Sequence, residues 1–129
     1  RFLLLLLGAH LAGQMLHAGF DPRGDVPCVG ASAGISGVIA YYALVFPHAR
    51  LGFFIWLFFR WLRIRAIWAL VIYGLLQLWG SWQQVGGFGH VSYLAHLGGL
   101  GVGVAAALVV RFTRASRRQR GPKKRRPSS

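Results

Sequence analysis

Gly30-Ala31-Ser32-Ala33-Gly34-Ile35-Ser36-Gly37 is the stretch on which the reading of this chain turns, and Ala95-His96-Leu97-Gly98-Gly99 is its counterpart downstream. Each sits near the start of a segment apolar enough to cross a bilayer. A serine crowded by small residues and a histidine beside glycines are what serine-based hydrolysis needs: a weak nucleophile and the base that takes its proton. Ionisable groups inside a membrane are costly, so their presence there is read as functional by default. The rest of the sequence bears on whether the two meet.

Composition puts the chain in a bilayer. Its 129 residues are 55% hydrophobic, with a mean hydropathy of +0.50. There are 2 acids, Asp21 and Asp25, against 15 Lys and Arg. A soluble domain this short needs more charge on its surface. The single cysteine, Cys28, rules out an internal disulfide. Arg1-Phe2-Leu3-Leu4 already lies inside an apolar run that no small-residue cleavage site closes, and we expect a fragment lacking its N-terminal part.

Spanning ~30 Å of hydrocarbon takes roughly 20 apolar residues as helix. Residues 2–17, 66–82 and 91–110 have the length, and residues 32–46 are apolar but short. The expectation is an all-α, polytopic membrane bundle with about four transmembrane helices. It occupies residues 1–111, and a basic tail over 112–129 is disordered by composition. Residues 17–27, rich in Pro, Gly and Asp, and residues 83–89 read as loops. The apolar run 51–59 covers only ~13 Å as helix. With Trp56, Trp61, Arg60, Arg63 and Arg65 it reads as a surface segment, aromatics at headgroup level and arginines in water.

Charge orients the spans. From Arg111 onward there are nine Lys and Arg, and residues 50–65 carry four more, while the other loops hold Arg23 and both aspartates. The positive-inside rule puts the tail and the arginine-rich connection in the cytoplasm. Ser32 and His96 then lie near the starts of helices entering from the outer face. A helix over 32–46 spans ~22 Å, about 8 Å short of the hydrocarbon core, so Ser32 sits below the outer surface. His96, five residues past Val91, lies ~8 Å down by the same rise. Backbone at 28–31 is then non-helical within the membrane, which is tolerable where it lines a watery cavity.

Val29 to Gly37, followed by Phe46-Pro47-His48-Ala49-Arg50 and Ala95-His96-Leu97-Gly98-Gly99, resembles the rhomboid intramembrane serine proteases. The resemblance covers nearly all of residues 1–111 and corresponds to that family's third to sixth helices. It implies that Ser32, in a Gly-x-Ser element, is the nucleophile and that His96, in an Ala-His-x-x-Gly element, is the base. It also implies single-pass transmembrane proteins as substrates and a multi-pass protein of the bacterial inner membrane. Three departures stand out. Ala33 follows the serine where the family has glycine, Ser36 stands where many members carry an aromatic that packs on the histidine, and the family's His-x-x-x-Asn oxyanion element belongs upstream of Arg1.

Each feature also has a plainer role. Gly37, Gly99 and Gly103 form small-xxx-small faces that let membrane helices pack, and such faces also draw Ser32 toward His96. No acid lies in the membrane segments, so a Ser-His dyad is expected rather than a triad. Backbone N–H groups around Gly30, Ala31 and Ala33 at the helix start carry the dipole's positive end and are the expected oxyanion support. His10 and Gln14 are expected to face the bundle, bonded to neighbours. His17, His48 and His90 are expected to be solvated, and Cys28 to be a small apolar filler. Trp79 and Trp82 are expected to border the path by which substrate enters. No metal-ligand spacing occurs, and no metal or cofactor is expected. The tail fits anionic lipid at ~1 kcal/mol per basic residue, not nucleic acid. The rival to a peptidase is a catalytically inactive rhomboid-like protein that binds or escorts membrane clients.

Overall fold

The computed structural model describes residues 1–23, 30–55, 58–88 and 91–119. Asp25, Cys28, Val29, Trp56 and His90, like residues 120–129, lie outside them. Four helices carry the fold: α1 (Phe2–Phe20), α2 (Ser32–Val45), α3 (Ala66–Val85) and α4 (Tyr93–Gln119). The bundle expected from apolar length is present.

Its core is built from small residues. Ala9, Ala33, Ala40, Ala43, Ala66, Ala95 and Ala107 are buried, while Leu3, Leu4, Leu7, Leu11, Leu75, Leu76 and Leu78 are exposed. Large apolar side chains facing outward around a small-residue interior suit lipid, where close van der Waals packing rather than solvent exclusion joins helices. A Cβ on Gly99 would overlap the Ala33 carbonyl oxygen, and one on Gly103 the Gly37 carbonyl oxygen. A Cβ on Gly37 would meet the Ala9 methyl and stand 2.8 Å from the Gly99 carbonyl oxygen. These three glycines therefore set how closely α2, α4 and α1 approach.

Residues 50–65 form an antiparallel hairpin, β1 (Arg50–Ile55) and β2 (Arg60–Arg65), closed by the Arg50 to Arg65 pairing. Alternation explains it. Leu51, Phe53, Leu62 and Ile64 share one face, and Arg50, Phe54, Trp61, Arg63 and Arg65 the other. The base is fixed where Ala66 N–H donates to Ala49 O at 2.8 Å.

Helix ends differ from the sequence reading. Residues 83–85 continue α3, and α1 runs to Phe20 before Asp21-Pro22 stops it. Helix α4 extends beyond residue 112, where composition suggests disorder, to Gln119. Arginine is a good helix former, and Arg117 and Arg118 suit the negative end of the helix dipole.

Candidate active site

Ser32 is the first residue of α2 and is exposed. Gly30, two residues before it, takes φ +122°, a left-handed conformation that glycine adopts without strain. The first backbone bond of α2 runs from Ile35 N–H to Ala31 O at 3.0 Å. The N–H groups of Ser32, Ala33 and Gly34 precede it and have no partner within the helix. Gly30 and Ala31 line a cavity of about 320 Å³ with Leu6, Leu7 and His10. His10 Nδ1 is buried without a hydrogen-bond partner among the described residues, contrary to the expectation that His10 is bonded.

The seam between α2 and α4 sets the level of the pair. Ala33 meets Gly99, and Gly37 meets Gly103 one turn further along both helices, so the two helices run parallel. Ser32 precedes its contact by one residue and His96 by three, a difference in level of roughly 3 Å. Both stand at the same end of the bundle. Among the described residues no hydrogen bond joins them directly.

Three residues that the sequence reading did not select surround them. Gln77, on α3 and only 5% exposed, places Oε1 2.8 Å from His96 Nδ1. Tyr93 sets its ring edge-on to the imidazole, centroids 6.3 Å apart at 81°. It fits there because Gly80 has no Cβ to collide with it. Tyr73 OH lies 2.7 Å from Ser36 Oγ, and Ser36 Oγ donates to Ser32 O at 2.9 Å. That engages the one Ser36 proton, so Tyr73 is the donor to Ser36. Ser36 therefore ties the carbonyl of Ser32 to α3. Tyr73, Gln77, Ser81 and Gln84 recur at helical spacing along α3, a polar stripe that could have flagged them.

The same end of the bundle, where α1 ends and α4 begins, holds a buried clasp. Gln84, fully buried, accepts from Leu94 N–H at 2.9 Å through Oε1. Its Nε2 donates to Asp21 Oδ2 and lies 3.3 Å from His17 Nδ1. Ser92 Oγ lies 2.8 Å from the same His17 nitrogen and accepts from Ala95 N–H at 3.4 Å. His17 is thus buried, not solvated as its loop-edge position suggests, whereas His48 is exposed. The Arg23 guanidinium, bonded to Asp21 at 3.0 and 3.1 Å, holds that carboxyl well below its ordinary 3.8; burial opposes the shift and the Gln84 amide adds to it. Leu94 and Ala95, whose N–H groups the clasp satisfies, stand directly before His96.

The family model for the rhomboid domain matches residues 1–112. The chain belongs to the rhomboid family. No curated protein and no solved structure gives a significant match. Rhomboids are in general intramembrane serine proteases, and this rhomboid chain is a membrane protein of helical-bundle fold. Two of its helices, α1 and α4, are long and apolar enough to cross a membrane by length and composition. Among the described residues no group of three metal-ligating side chains occurs. Trp79 and Trp82 are exposed on α3, 61% and 76%, with their rings edge to face.

Proposed function

We propose that this rhomboid chain carries the Ser-His dyad of an intramembrane serine endopeptidase that cleaves single-pass transmembrane proteins. The register of α2 on α4 carries the reading, because it sets Ser32 and His96 at one end of the bundle at nearly one level. Ser32 Oγ attacks the scissile carbonyl as His96 takes its proton, and His96 then returns that proton to the leaving amine. The free N–H groups at the start of α2 face developing negative charge with the positive end of the helix dipole, a contribution worth about 3 kcal/mol per donor. Water completes the cycle by hydrolysing the acyl-enzyme.

The same reading takes the protein as multi-pass in a bacterial inner membrane. The excess of arginine and lysine in the tail and the hairpin supports a cytoplasmic C-terminus. Anionic lipid, not nucleic acid, is then the tail's partner. The test is Ser32→Ala in the full-length protein, scored on cleavage of a model transmembrane substrate. Cleavage stops while expression holds; undiminished cleavage overturns the assignment.

One observation favours a second reading, a non-catalytic rhomboid that binds or escorts membrane clients: the absence, among the described residues, of a direct bond between Ser32 and His96. A fluorophosphonate probe separates the two. It labels the peptidase at Ser32 and leaves a client-binding protein unlabelled.

A further inference from the structure

We propose that Gln77 is the positioning residue of His96, fixing which ring nitrogen carries the proton and leaving the other as the base. This rests on the peptidase reading above. A neutral imidazole has one donor and one acceptor nitrogen. Facing a carbonyl oxygen at 2.8 Å, Nδ1 must be the donor, and Nε2 keeps the lone pair that a general base requires. In a serine triad a buried aspartate does this work. Here the sequence has 2 acids, and the described one, Asp21, is bound to Arg23 and Gln84 where α1 ends. An amide oxygen accepts the same Nδ1–H hydrogen bond without placing a charge in the membrane.

The surroundings hold Gln77 to this task. It is 5% exposed, so its acceptor has no competing bulk water. Tyr73, four residues earlier on α3, braces the Ser36 bridge to Ser32. Gly80, three residues later, admits the Tyr93 ring that flanks the imidazole. One face of α3 thus reaches both members of the pair, and among the described residues only Gln77 bonds a ring nitrogen of His96.

The experiment uses the full-length protein and has two arms. In the first, cleavage of a transmembrane substrate is measured for wild type, Gln77→Leu, Gln77→Glu and Ser32→Ala. Gln77→Leu lowers kcat about 100-fold with little change in KM, short of the ~10⁴ loss known for a wrong histidine tautomer in a triad. Gln77→Glu, which keeps an oxygen acceptor, restores most of that loss, and a matched melting temperature shows that neither variant has unfolded. In the second arm, ¹⁵N spectra of the histidines, assigned by loss of one signal in His96→Ala, report the tautomer whatever the activity. Wild type shows the Nδ1–H form, and Gln77→Leu loses it. An Nε2–H form in wild type, or full turnover in Gln77→Leu beside a dead Ser32→Ala, overturns the role of Gln77. Undiminished cleavage by Ser32→Ala overturns the peptidase reading instead.

Discussion

The two sides of the site are attached by opposite means. Helices α2 and α4 meet backbone to backbone, with Gly37, Gly99 and Gly103 leaving no room for a side chain. Helix α3 meets them through the tips of side chains: Tyr73 to Ser36, Gln77 to His96, Gln84 to the start of α4. A glycine seam is unforgiving because its spacing is set by main-chain atoms that cannot rotate away. A row of hydrogen bonds can be lost one at a time, each worth about 1 kcal/mol. The proposed dyad is carried on the stiff seam, and the proposed positioning of its histidine comes from the adjustable helix.

The heaviest blow to this contrast is Gly99→Val. The new side chain has to displace the Ala33 carbonyl, part of the α2 backbone one residue after Ser32. Overpacking of this kind costs about 1–3 kcal/mol or more. Cleavage is abolished and the melting temperature in detergent falls by many degrees. Gly101→Val is the matched control, since Gly101 is exposed and an added Cβ there meets nothing within 4 Å; it melts close to wild type. Equal melting of the two variants would show that the seam is not what holds α2 on α4.

Next comes the clasp. Gln84→Leu leaves the Leu94 N–H and the Asp21 carboxylate without their buried partner. An orphaned buried polar group costs about 1–3 kcal/mol, and a fall of several degrees in melting temperature is expected. Acid acts on the same cluster with a definite sign. Because Arg23 holds the folded-state Asp21 below its ordinary 3.8, the carboxylate's contribution is complete above that pH and is lost as pH falls further. Thermal melts from pH 6 down to pH 2 check this, flat above 3.8 and falling below it, and an Asp21→Asn protein loses the dependence.

How much of this was legible in the residues depends on what kind of contact made each feature. The helices follow from apolar length, and the close approach of α2 and α4 that sets Ser32 and His96 at one end of the bundle follows from glycines repeated at helical spacing on both sides. The hairpin was hidden because length excluded a spanning helix and pointed to a surface segment without fixing its backbone conformation. Its signal is the alternation of Leu62 and Ile64 with Arg63 and Arg65. His17 and Gln84 read as loop-edge polar residues because their partners lie far apart in the chain, Asp21 at the end of α1 and Ser92 and Leu94 at the start of α4. Periodicity reports which face is apolar, not which polar groups find each other across the bundle. Gln77 falls in that same blind spot.

The smallest expected effect is the most discriminating for α3. Tyr73→Phe removes one hydroxyl, the donor to Ser36 Oγ, but the bond from Ser36 to Ser32 O remains. The carbonyl of Ser32 is therefore still tied down within its own helix, and the loss is about 1 kcal/mol, roughly fivefold in rate at most. Gln77→Leu, one turn along the same helix, acts on His96 with no such backup. If the bonds of α3 are separate, combining Tyr73→Phe with Gln77→Leu multiplies the two losses. If α3 moves as one body, the double variant cleaves no worse than Gln77→Leu alone. Independent losses are expected, because Tyr73 reaches α2 and Gln77 reaches α4, and the seam between those helices holds their relation fixed when either bond is cut.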